Sequence, residues 1–427
     1  MIPLAWEEVE ALDLGELTGP PADGVVRRVH DDSREARPGD LFVALNTGAR
    51  FVDEARARGA ATLVPRDQEA ALATLASAVR DRSEAEVVAV VGSVGKTTTK
   101  DVLSALCGAV TPTVAAEASR NNELGLPLTV LALESETRVL VTEMGMRGLG
   151  QIAELCAIAR PTLALVTSVG PEHLELVGTV EDVARANAEA IEALPPGGTA
   201  VYPAGEPLLE PYLRDDVDLR PFDRTVVGRD GDAWRFAVGG DDVRLVLPFA
   251  QRHLAENVLA ALTAYDALGL PLERAAEGVA AIRLSRWRGE VRDLPGGGLV
   301  VNDAYNANPL SMRAALLDLA ERAGGRRRVA ILGEMAELGG ESARYHAEVA
   351  ALLRELGIEL VVAVGEPARA YLDGVGDGVA VVDASAFANA VDLLQPGDAI
   401  LVKASRAVGL EGIPALIEKH FQAWHES

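Results

Sequence analysis

Apolar and polar positions along the chain predict buried strands that alternate with helices. The apolar runs lie at 87–91, 138–142, 163–167, 299–301, 328–332, 360–364 and 399–402. Most are separated by stretches with helical spacing, an alternation typical of a parallel sheet wound with helices on both faces. The pattern predicts an α/β protein with a central, doubly wound, mostly parallel sheet and a C-terminal α/β domain of Rossmann-like type.

Changes in local composition and in the pattern of strands and helices predict three domains. Residues 1–82 contain short strand-like runs and one helical pattern, and the charged segment DRSEAE follows. A second break is expected at RDLPGGG, close to residue 295. The chain has 427 residues, and about 150 residues per domain is usual. We therefore predict domains at 1–82, 83–295 and 296–427.

Composition narrows the class of protein. The chain is 49% hydrophobic and 24% charged, and no apolar run approaches the roughly 20 residues of a membrane helix. The first residues are acidic and lack a basic signal region, so we expect a cytoplasmic protein without membrane insertion. We further expect a monomer. Cys107 and Cys156 lie in apolar helical patterns and are expected to be buried and reduced.

The net charge of −24 argues against a nucleic-acid partner, because binding to nucleic acid needs a basic surface. A phosphate site in such a chain must rely on local dipoles and a few placed cations. Lysine is rare among the 40 basic residues and occurs only at Lys96, Lys100, Lys403 and Lys419. A lysine here can indicate a need for a compact ammonium group.

The segment VVAVVGSVGKTTTKDVLSAL predicts a nucleotide phosphate site. A buried strand ends at the loop formed by Gly92, Ser93, Val94 and Gly95, and Lys96, Thr97 and Thr98 open a helix. Backbone N–H groups at such a helix start bind phosphate oxygens, while the lysine reaches the β- and γ-phosphates and the threonine supplies an oxygen to Mg²⁺. The spacing is GxxGKT where the common loop has GxxxxGKT. The motif predicts ATP or GTP binding and leaves the reaction open.

Further motifs follow in an order that resembles the Mur ligase family. They are GSVGKTTTK, RNNELGLPLTVL (120–131), VTEMGMRGLGQI (141–152), SVGPEHLELVGTVEDVARA (168–186), RHLAEN (252–257), NDAYNANPLSM (302–312) and LGEMAELG (332–339). The resemblance covers most of the chain, and the last two strings are typical of the D-alanyl-D-alanine-adding branch of the family.

The resemblance implies an ATP-dependent ligase of bacterial cell-wall synthesis. The expected reaction joins D-alanyl-D-alanine to UDP-N-acetylmuramoyl-tripeptide through an acyl phosphate, with ATP and Mg²⁺ as cofactors. The resemblance also implies that the first domain binds the UDP substrate, the second ATP and the third the dipeptide.

Three residues are expected to carry the metal chemistry together with Lys96. Glu143 follows the strand RVLVT, at the carboxyl edge where doubly wound sheets bind ligands. By resemblance, Glu143 and Thr97 hold one Mg²⁺ and His173 a second. The family's carbamylated lysine is replaced by Asn187, so Glu189 or water is left to complete the second site.

Other residues are expected to contact the nucleotide or the substrates. By resemblance, the nucleotide contacts are His253, Asn257, Arg288, Asp303, Tyr305, Asn306 and Asn308, although Gln251, Leu254 and Trp287 depart from the family pattern. The substrate contacts implied in the same way are Ser33, Arg34, Asn122, Lys403, Ser405 and Arg406.

Two alternatives remain open at the level of sequence. One is another amino-acid-adding or folate-type ligase, against which the DAYNANP string argues. The other is a nucleotide-dependent switch or inactive scaffold, suggested by the loss of the lysine at Asn187.

Overall fold

The computed structural model describes residues 1–373 and 375–425 of the chain. The N-terminal region contains six strands and three helices: β1 Leu4–Ala5, α1 Trp6–Ala11, β2 Gly15–Thr18, β3 Val25–Val26, β4 Arg28–His30, β5 Asp40–Val43, α2 Val52–Ala57, β6 Ala61–Pro65 and α3 Gln68–Arg80. Four of the strands form a sheet in the order β2-β6-β5-β4, and Phe42, Ala44 and Val52 pack in its core.

The central region follows with nine strands and seven helices. They are β7 Glu86–Val91, α4 Lys96–Gly108, β8 Thr113–Ala115, α5 Gly125–Val130, β9 Val139–Glu143, α6 Gln151–Ala159, β10 Leu163–Val166, α7 Leu174–Val177, α8 Val180–Glu192, β11 Thr199–Pro203, β12 Asp218–Phe222, β13 Gly228–Asp230, β14 Ala233–Val238, β15 Asp241–Leu245, α9 Arg252–Ala267 and α10 Ala275–Val279.

The central sheet has six parallel strands in the order β12-β11-β10-β7-β9-β8. After β7 the chain first forms β8 and β9 on one side of β7, and then forms β10, β11 and β12 on the other side. This reversal next to β7 is the place where doubly wound sheets bind ligands, beyond the carboxyl ends of the strands. Strands β13, β14 and β15 form a separate antiparallel sheet.

The C-terminal region forms a second mixed sheet. Its elements are β16 Glu290–Asp293, β17 Leu299–Asn302, α11 Pro309–Ala323, β18 Arg328–Gly333, α12 Ser342–Glu355, β19 Leu360–Val364, β20 Asp377–Val381, β21 Ala399–Lys403 and α13 Ile413–His425. The strand order is β16-β17-β21-β18-β19-β20, parallel except for β16 at one edge. The predicted fold class is confirmed, with a central parallel sheet followed by a C-terminal α/β sheet domain.

The residues group into two compact units. The first comprises Met1–Ser168, Arg185–Ala250 and Leu254–Arg283, and the second comprises Val169–Ala184, Gln251–His253 and Leu284–Ser427. The N-terminal sheet and the central sheet therefore belong to the same unit, while α7 and the start of α8 belong to the second. The predicted domain limits at 82 and 295 stay predictions.

Both cysteines are buried and free, as predicted. Burial raises the pKa of each thiol to about 12, with the Glu189 carboxylate adding to the effect at Cys156. In the described part of the chain, no helix combines the length and apolar character needed to cross a membrane.

Candidate nucleotide and magnesium site

The predicted phosphate loop lies between the end of β7 and the start of α4, in the first unit. Gly95 caps the helix in the left-handed conformation (φ 90°), which directs the chain from the strand into α4 at Lys96. The first N–H groups of a helix have no partner within it, and together with the helix dipole they favour an anion. The local geometry is that of a phosphate-binding loop.

The residues after β10 hold this loop in place. The Ser168 hydroxyl accepts a hydrogen bond from Val94 N at 2.8 Å, and the Thr167 hydroxyl donates to the Val94 carbonyl at 2.7 Å. A third bond joins Ser93 N to the Ser168 carbonyl at 2.9 Å. The loop conformation is thus fixed by contacts from the neighbouring strand, which is the preorganisation that an anion site requires.

Lys96 and Thr97 occupy the first turn of α4. The Lys96 ammonium donates to the Gly92 carbonyl at the other end of the loop, and the Thr97 side chain is buried. Lys96 and Thr97 therefore lie at the loop, where the predicted phosphate and metal roles need them.

Glu143 is the last residue of β9 and pairs in register with Val90 of β7. Its side chain is only 1% exposed. One carboxylate oxygen, Oε1, accepts a hydrogen bond from Asn121 Nδ2 at 2.9 Å, and the other, Oε2, is buried with no hydrogen-bond partner among the described residues. A buried carboxylate oxygen without a partner is costly unless a cation pairs with it.

These donors fit a magnesium ion. Mg²⁺ prefers carboxylate, hydroxyl and phosphate oxygens, and Glu143 and Thr97 offer the first two of these at the phosphate loop. The strand register places Glu143 beside the strand that leads into the loop, as the sequence predicted.

Glu189, which the sequence offered as a substitute for the family lysine at the second metal site, binds backbone groups of the protein. The Glu189 carboxylate accepts hydrogen bonds from Gly150 N at 2.6 Å and Ala153 N at 3.0 Å, so it caps the start of α6. Asn187 is buried on α8, the helix that also carries Glu189. Both Glu189 oxygens already accept backbone N–H groups, which argues against Glu189 as a metal ligand.

Asn257 lies beside the phosphate loop in the first unit. A Cβ atom built on Gly95 would come within 2.4 Å of Asn257 Oδ1, so the side chain of α9 packs directly against the loop. His253, one turn earlier, belongs to the second unit. Gln251, in place of the family glycine, donates to the Gly289 carbonyl at 2.9 Å.

His173 lies in the second unit and faces an acidic partner. His173 adopts a left-handed conformation (φ 52°), and its Nδ1 contacts the Glu337 carboxylate. Glu337 is left-handed as well (φ 59°), and its carbonyl accepts a hydrogen bond from Glu175 N at 3.0 Å. Carboxylate partners of this kind commonly orient metal-binding histidines.

The DAYNANP loop after β17 is organised by a buried lysine. Lys403 is 2% exposed, and its ammonium contacts Asp303 Oδ2 at 2.6 Å and the Asn306 carbonyl at 2.9 Å. The Arg288 guanidinium lies 3.9 Å from the ring centroid of Tyr305, a cation–π contact. Asn308 accepts a hydrogen bond from Ser311 N and so caps α11.

The remaining predicted substrate residues of the second unit are Ser405 and Arg406. The buried Ser405 hydroxyl accepts from Ala336 N at 2.8 Å and donates to the Ala307 carbonyl at 3.3 Å. It therefore joins the LGEMAELG segment to the DAYNANP loop. Arg406 is half exposed, lies over the Trp287 ring at 4.4 Å and pairs with Glu411 at 2.6 Å.

The predicted substrate residues of the first unit also have protein partners. The Ser33 hydroxyl donates to Glu54 at 3.0 Å. Arg34 pairs with Asp32, and its guanidinium lowers the pKa of that carboxyl to about 2. Asn122 Oδ1 accepts from Gly125 N at the start of α5. Their substrate roles stay predictions.

Four functional contacts escaped the sequence analysis. Asn121 binds Glu143, Lys100 supports the segment before Asn121, Thr167 and Ser168 hold the phosphate loop, and Glu337 faces His173. All of these residues except Thr167 lie inside motifs that were recognised. Each contact joins residues that are well separated in sequence, so spacing alone did not reveal it.

The chain belongs to the Mur ligase family. It matches the Mur ligase middle domain over residues 90–265 and the domain described as "Mur ligase, glutamate ligase domain" over residues 287–406. It is an ATP-dependent ligase of that family.

Among its relatives is the UDP-N-acetylmuramoyl-tripeptide--D-alanyl-D-alanine ligase of Bacillus subtilis, 30% identical over 97% of this chain and 98% of the relative. A crystal structure of MurF from Acinetobacter baumannii is 27% identical, with a TM-score of 0.85 over 98% of this chain and 99% of that one. MurF ligase from Thermotoga maritima in complex with ADP is also 27% identical, with a TM-score of 0.79 over 93% and 98%.

Proposed function

We propose that this chain joins D-alanyl-D-alanine to UDP-N-acetylmuramoyl-tripeptide, with conversion of ATP to ADP and phosphate. The observation that carries the proposal is the similarity to a ligase named for this reaction, which extends over 97% of this chain and 98% of that relative. The DAYNANP and LGEMAELG strings, typical of the same branch, support it.

The reaction must activate a carboxylate before an amine can attack it. Transfer of the γ-phosphoryl group of ATP to the terminal carboxylate of the tripeptide gives an acyl phosphate and ADP. The amine of the dipeptide then attacks the acyl carbon, the amide bond forms, and phosphate leaves with the electron pair of its bond. Phosphoryl transfer of this kind depends on positioning and on neutralisation of charge.

We assign the phosphate loop and Lys96 to binding of the triphosphate, with Asn257 supporting the loop at Gly95. Thr97 and Glu143 would hold Mg²⁺, which when bound neutralises charge on the phosphate oxygens. The unpartnered Oε2 atom of Glu143 supports this assignment. We assign His173 to a second metal, with the Glu337 carboxylate orienting its ring.

The residues of the second unit are assigned by their surroundings. The cation–π pair of Arg288 and Tyr305, and the loop held by Lys403, support a role in nucleotide binding. We assign Arg406 to a substrate carboxylate, since its guanidinium is partly exposed and can bind two oxygens at once. Ser33 and Arg34 are assigned to the uridine diphosphate group, and the site of action to the cytoplasm, where ATP is supplied.

Product analysis by mass spectrometry tests the proposal. Purified protein is incubated with Mg·ATP, UDP-muramoyl tripeptide and either D-alanyl-D-alanine or single amino acids. We expect a UDP-pentapeptide with the dipeptide alone, and one phosphate released per product. The Lys96→Ala variant, which lacks the phosphate-binding ammonium, serves as the inactive control.

Two results would contradict the proposal. Product formed with a single amino acid and not with the dipeptide would assign the chain to another branch of the family. Nucleotide binding without phosphate release in the presence of both substrates would identify a nucleotide-binding protein without ligase activity, the alternative suggested by Asn187.

A further inference from the structure

Lys100 is a buried lysine in the helix that begins at the phosphate loop. It is 2% exposed, and its ammonium contacts the Ala116 carbonyl at 2.8 Å, the Ala118 carbonyl at 3.0 Å and Asp101 Oδ1 at 2.5 Å. An ammonium group has three N–H donors, and three oxygens surround this one. The charge is therefore compensated inside the protein, as a buried cation requires.

The two carbonyls belong to a segment that leads to the candidate magnesium ligand. This segment, 116–121, follows β8 and contains a left-handed residue at Ala118 (φ 48°). At its far end, the Asn121 carbonyl accepts a hydrogen bond from Gly145 N at 2.8 Å, and Asn121 Nδ2 donates to Glu143 Oε1 at 2.9 Å. Lys100 thus binds one end of the segment, and Asn121 at the other end binds Glu143 and Gly145.

The choice of lysine fits this arrangement. The chain has 40 basic residues and only four lysines, so arginine is its ordinary cation. A planar guanidinium directs its donors in a fork, whereas a compact ammonium can donate to three oxygens that converge on one point. Lys403 makes the same kind of contact with the DAYNANP loop, to one carboxylate and to backbone carbonyls.

We propose that Lys100 is a positioning residue for the magnesium site, because it fixes the segment whose Asn121 side chain orients the Glu143 carboxylate. The proposal rests on the proposed function in one respect, the assignment of Glu143 to Mg²⁺. Lys100 is buried beneath the segment and acts on the site through Asn121, while Lys96 of the same helix faces the phosphate loop directly.

The test measures ADP binding by calorimetry, with and without Mg²⁺, for the whole chain. Binding of metal-free ADP depends on the phosphate loop, whereas the gain in affinity on adding Mg²⁺ depends on Glu143. In Lys100→Met we expect that gain to fall about 10-fold or more, as for other groups that orient metal ligands. The affinity of Lys100→Met for metal-free ADP should match that of the wild type. Lys419→Ala, which changes an exposed lysine on α13, is the control, and its unfolding midpoint should match the wild type.

A second variant keeps the test decisive if Lys100→Met does not fold. Asn121 is only partly buried and uncharged, and Asn121→Ala should lower the magnesium-dependent gain by a similar factor. If Lys100 acts through Asn121, the double variant should lose little more than either single variant, because both changes interrupt one path.

Three outcomes would overturn the inference. They are an unchanged magnesium-dependent gain in either single variant, an equal loss of metal-free and magnesium-dependent binding in Lys100→Met, and full additivity in the double variant. None of these measurements uses the peptide substrates. A failure of the ligase assignment would instead appear as absence of product with the wild-type chain.

Discussion

At the scale of single residues, Gly95 is constrained twice. Its φ of 90° lies in the left-handed region, and a Cβ would come within 2.4 Å of Asn257 Oδ1. Either constraint alone would cost stability, and together they leave room only for glycine. The sequence pattern identified this glycine as part of the loop, but its contact with Asn257, 162 positions later, depends on the packing of α9.

Gly95→Ala should therefore lose nucleotide binding. We expect at least about a 10-fold weaker affinity for ADP, since strain of about 1–3 kcal/mol would be relieved by distorting the loop. Gly108→Ala is the matched control, because Gly108 is the exposed last residue of the same helix and nothing lies near its Cβ position. Calorimetry with ADP on both variants checks the prediction, and equal affinities would contradict it.

Glu143→Gln removes the charge of the candidate metal ligand and keeps its shape. Asn121 can still donate to the amide oxygen, so folding should change little. We expect the rate of phosphate release to fall about 100-fold or more, since loss of groups that merely orient a metal ligand costs about 10- to 100-fold. Rates measured across a range of Mg²⁺ concentrations test this, and a wild-type dependence on Mg²⁺ would exclude Glu143 as a ligand.

At the scale of elements, most strands of the two large sheets were visible in the sequence. The strand at 360–364 matches the apolar run, and the other predicted strands differ by one or two residues at their ends. The antiparallel sheet of β13, β14 and β15 was not predicted. In β14 and β15 buried residues alternate with exposed ones, so these strands contain no continuous apolar run of the kind that marked the buried parallel strands.

The loop after β17 depends on one buried ion pair. Lys403→Met removes the partner of Asp303, whose side chain is largely buried, and should lower the free energy of unfolding by about 3 kcal/mol. Because the loop would also lose its tie at the Asn306 carbonyl, the KM for ATP should rise. Urea unfolding and steady-state kinetics test both effects, with Lys419→Met as control. A wild-type KM for ATP in a folded Lys403→Met variant would show that this loop does not contribute to nucleotide binding.

His346 joins α12 to the LGEMAELG segment through hydrogen bonds that depend on the protonation state of its ring. Its Nε2 accepts a hydrogen bond from Met335 N at 3.2 Å and its Nδ1 contacts the Ser342 carbonyl at 2.8 Å, so the folded protein holds the neutral ring. Burial lowers the pKa of His346 below its ordinary value of 6.5, although Ser342 and Glu334 oppose the shift.

The sign of the effect on stability follows from proton binding. Below about pH 6.5 the unfolded chain binds a proton at this position and the folded chain does not, so stability falls as pH decreases towards the lowered pKa. His346→Gln should lose less stability than the wild type between pH 7.5 and pH 5.5. Urea unfolding at both values measures the difference, and parallel losses would show that other groups set the dependence.

At the scale of the whole molecule, a negatively charged chain must bind a negatively charged nucleotide. With a net charge of −24, attraction cannot come from the overall field, so affinity should depend on the phosphate loop and Lys96. Of the four lysines, Lys96 is the one at the phosphate loop, where its ammonium donates to the Gly92 carbonyl.

Mg·ADP should accordingly stabilise the folded chain through binding. At 100 times its dissociation constant, a ligand adds about 2.7 kcal/mol to the free energy of unfolding, which raises the midpoint of thermal unfolding. Lys96→Ala should show a much smaller shift at the same ADP concentration, and adenosine, which lacks phosphate, should shift neither protein. Thermal unfolding followed by fluorescence gives the comparison, and equal shifts in both proteins would exclude Lys96 from phosphate binding.

The sequence by itself determined the α/β fold, the phosphate loop and the family. These features are encoded in contiguous residues, since the apolar runs, the glycine turn and the helix start that follow β7 are neighbours along the chain. It also placed Glu143 at the end of a buried strand, a position that can be recognised locally, and the resemblance to the family made it a candidate metal ligand.

Only the tertiary structure decided which partners these residues have. Asn121 binds Glu143, Lys100 binds the carbonyls before Asn121, and Glu189 caps α6. Each contact joins segments that are separate in sequence, and the fold alone brings them within hydrogen-bonding distance. Side chains that are polar and ambiguous in the sequence therefore acquire their roles only when the strands and helices pack.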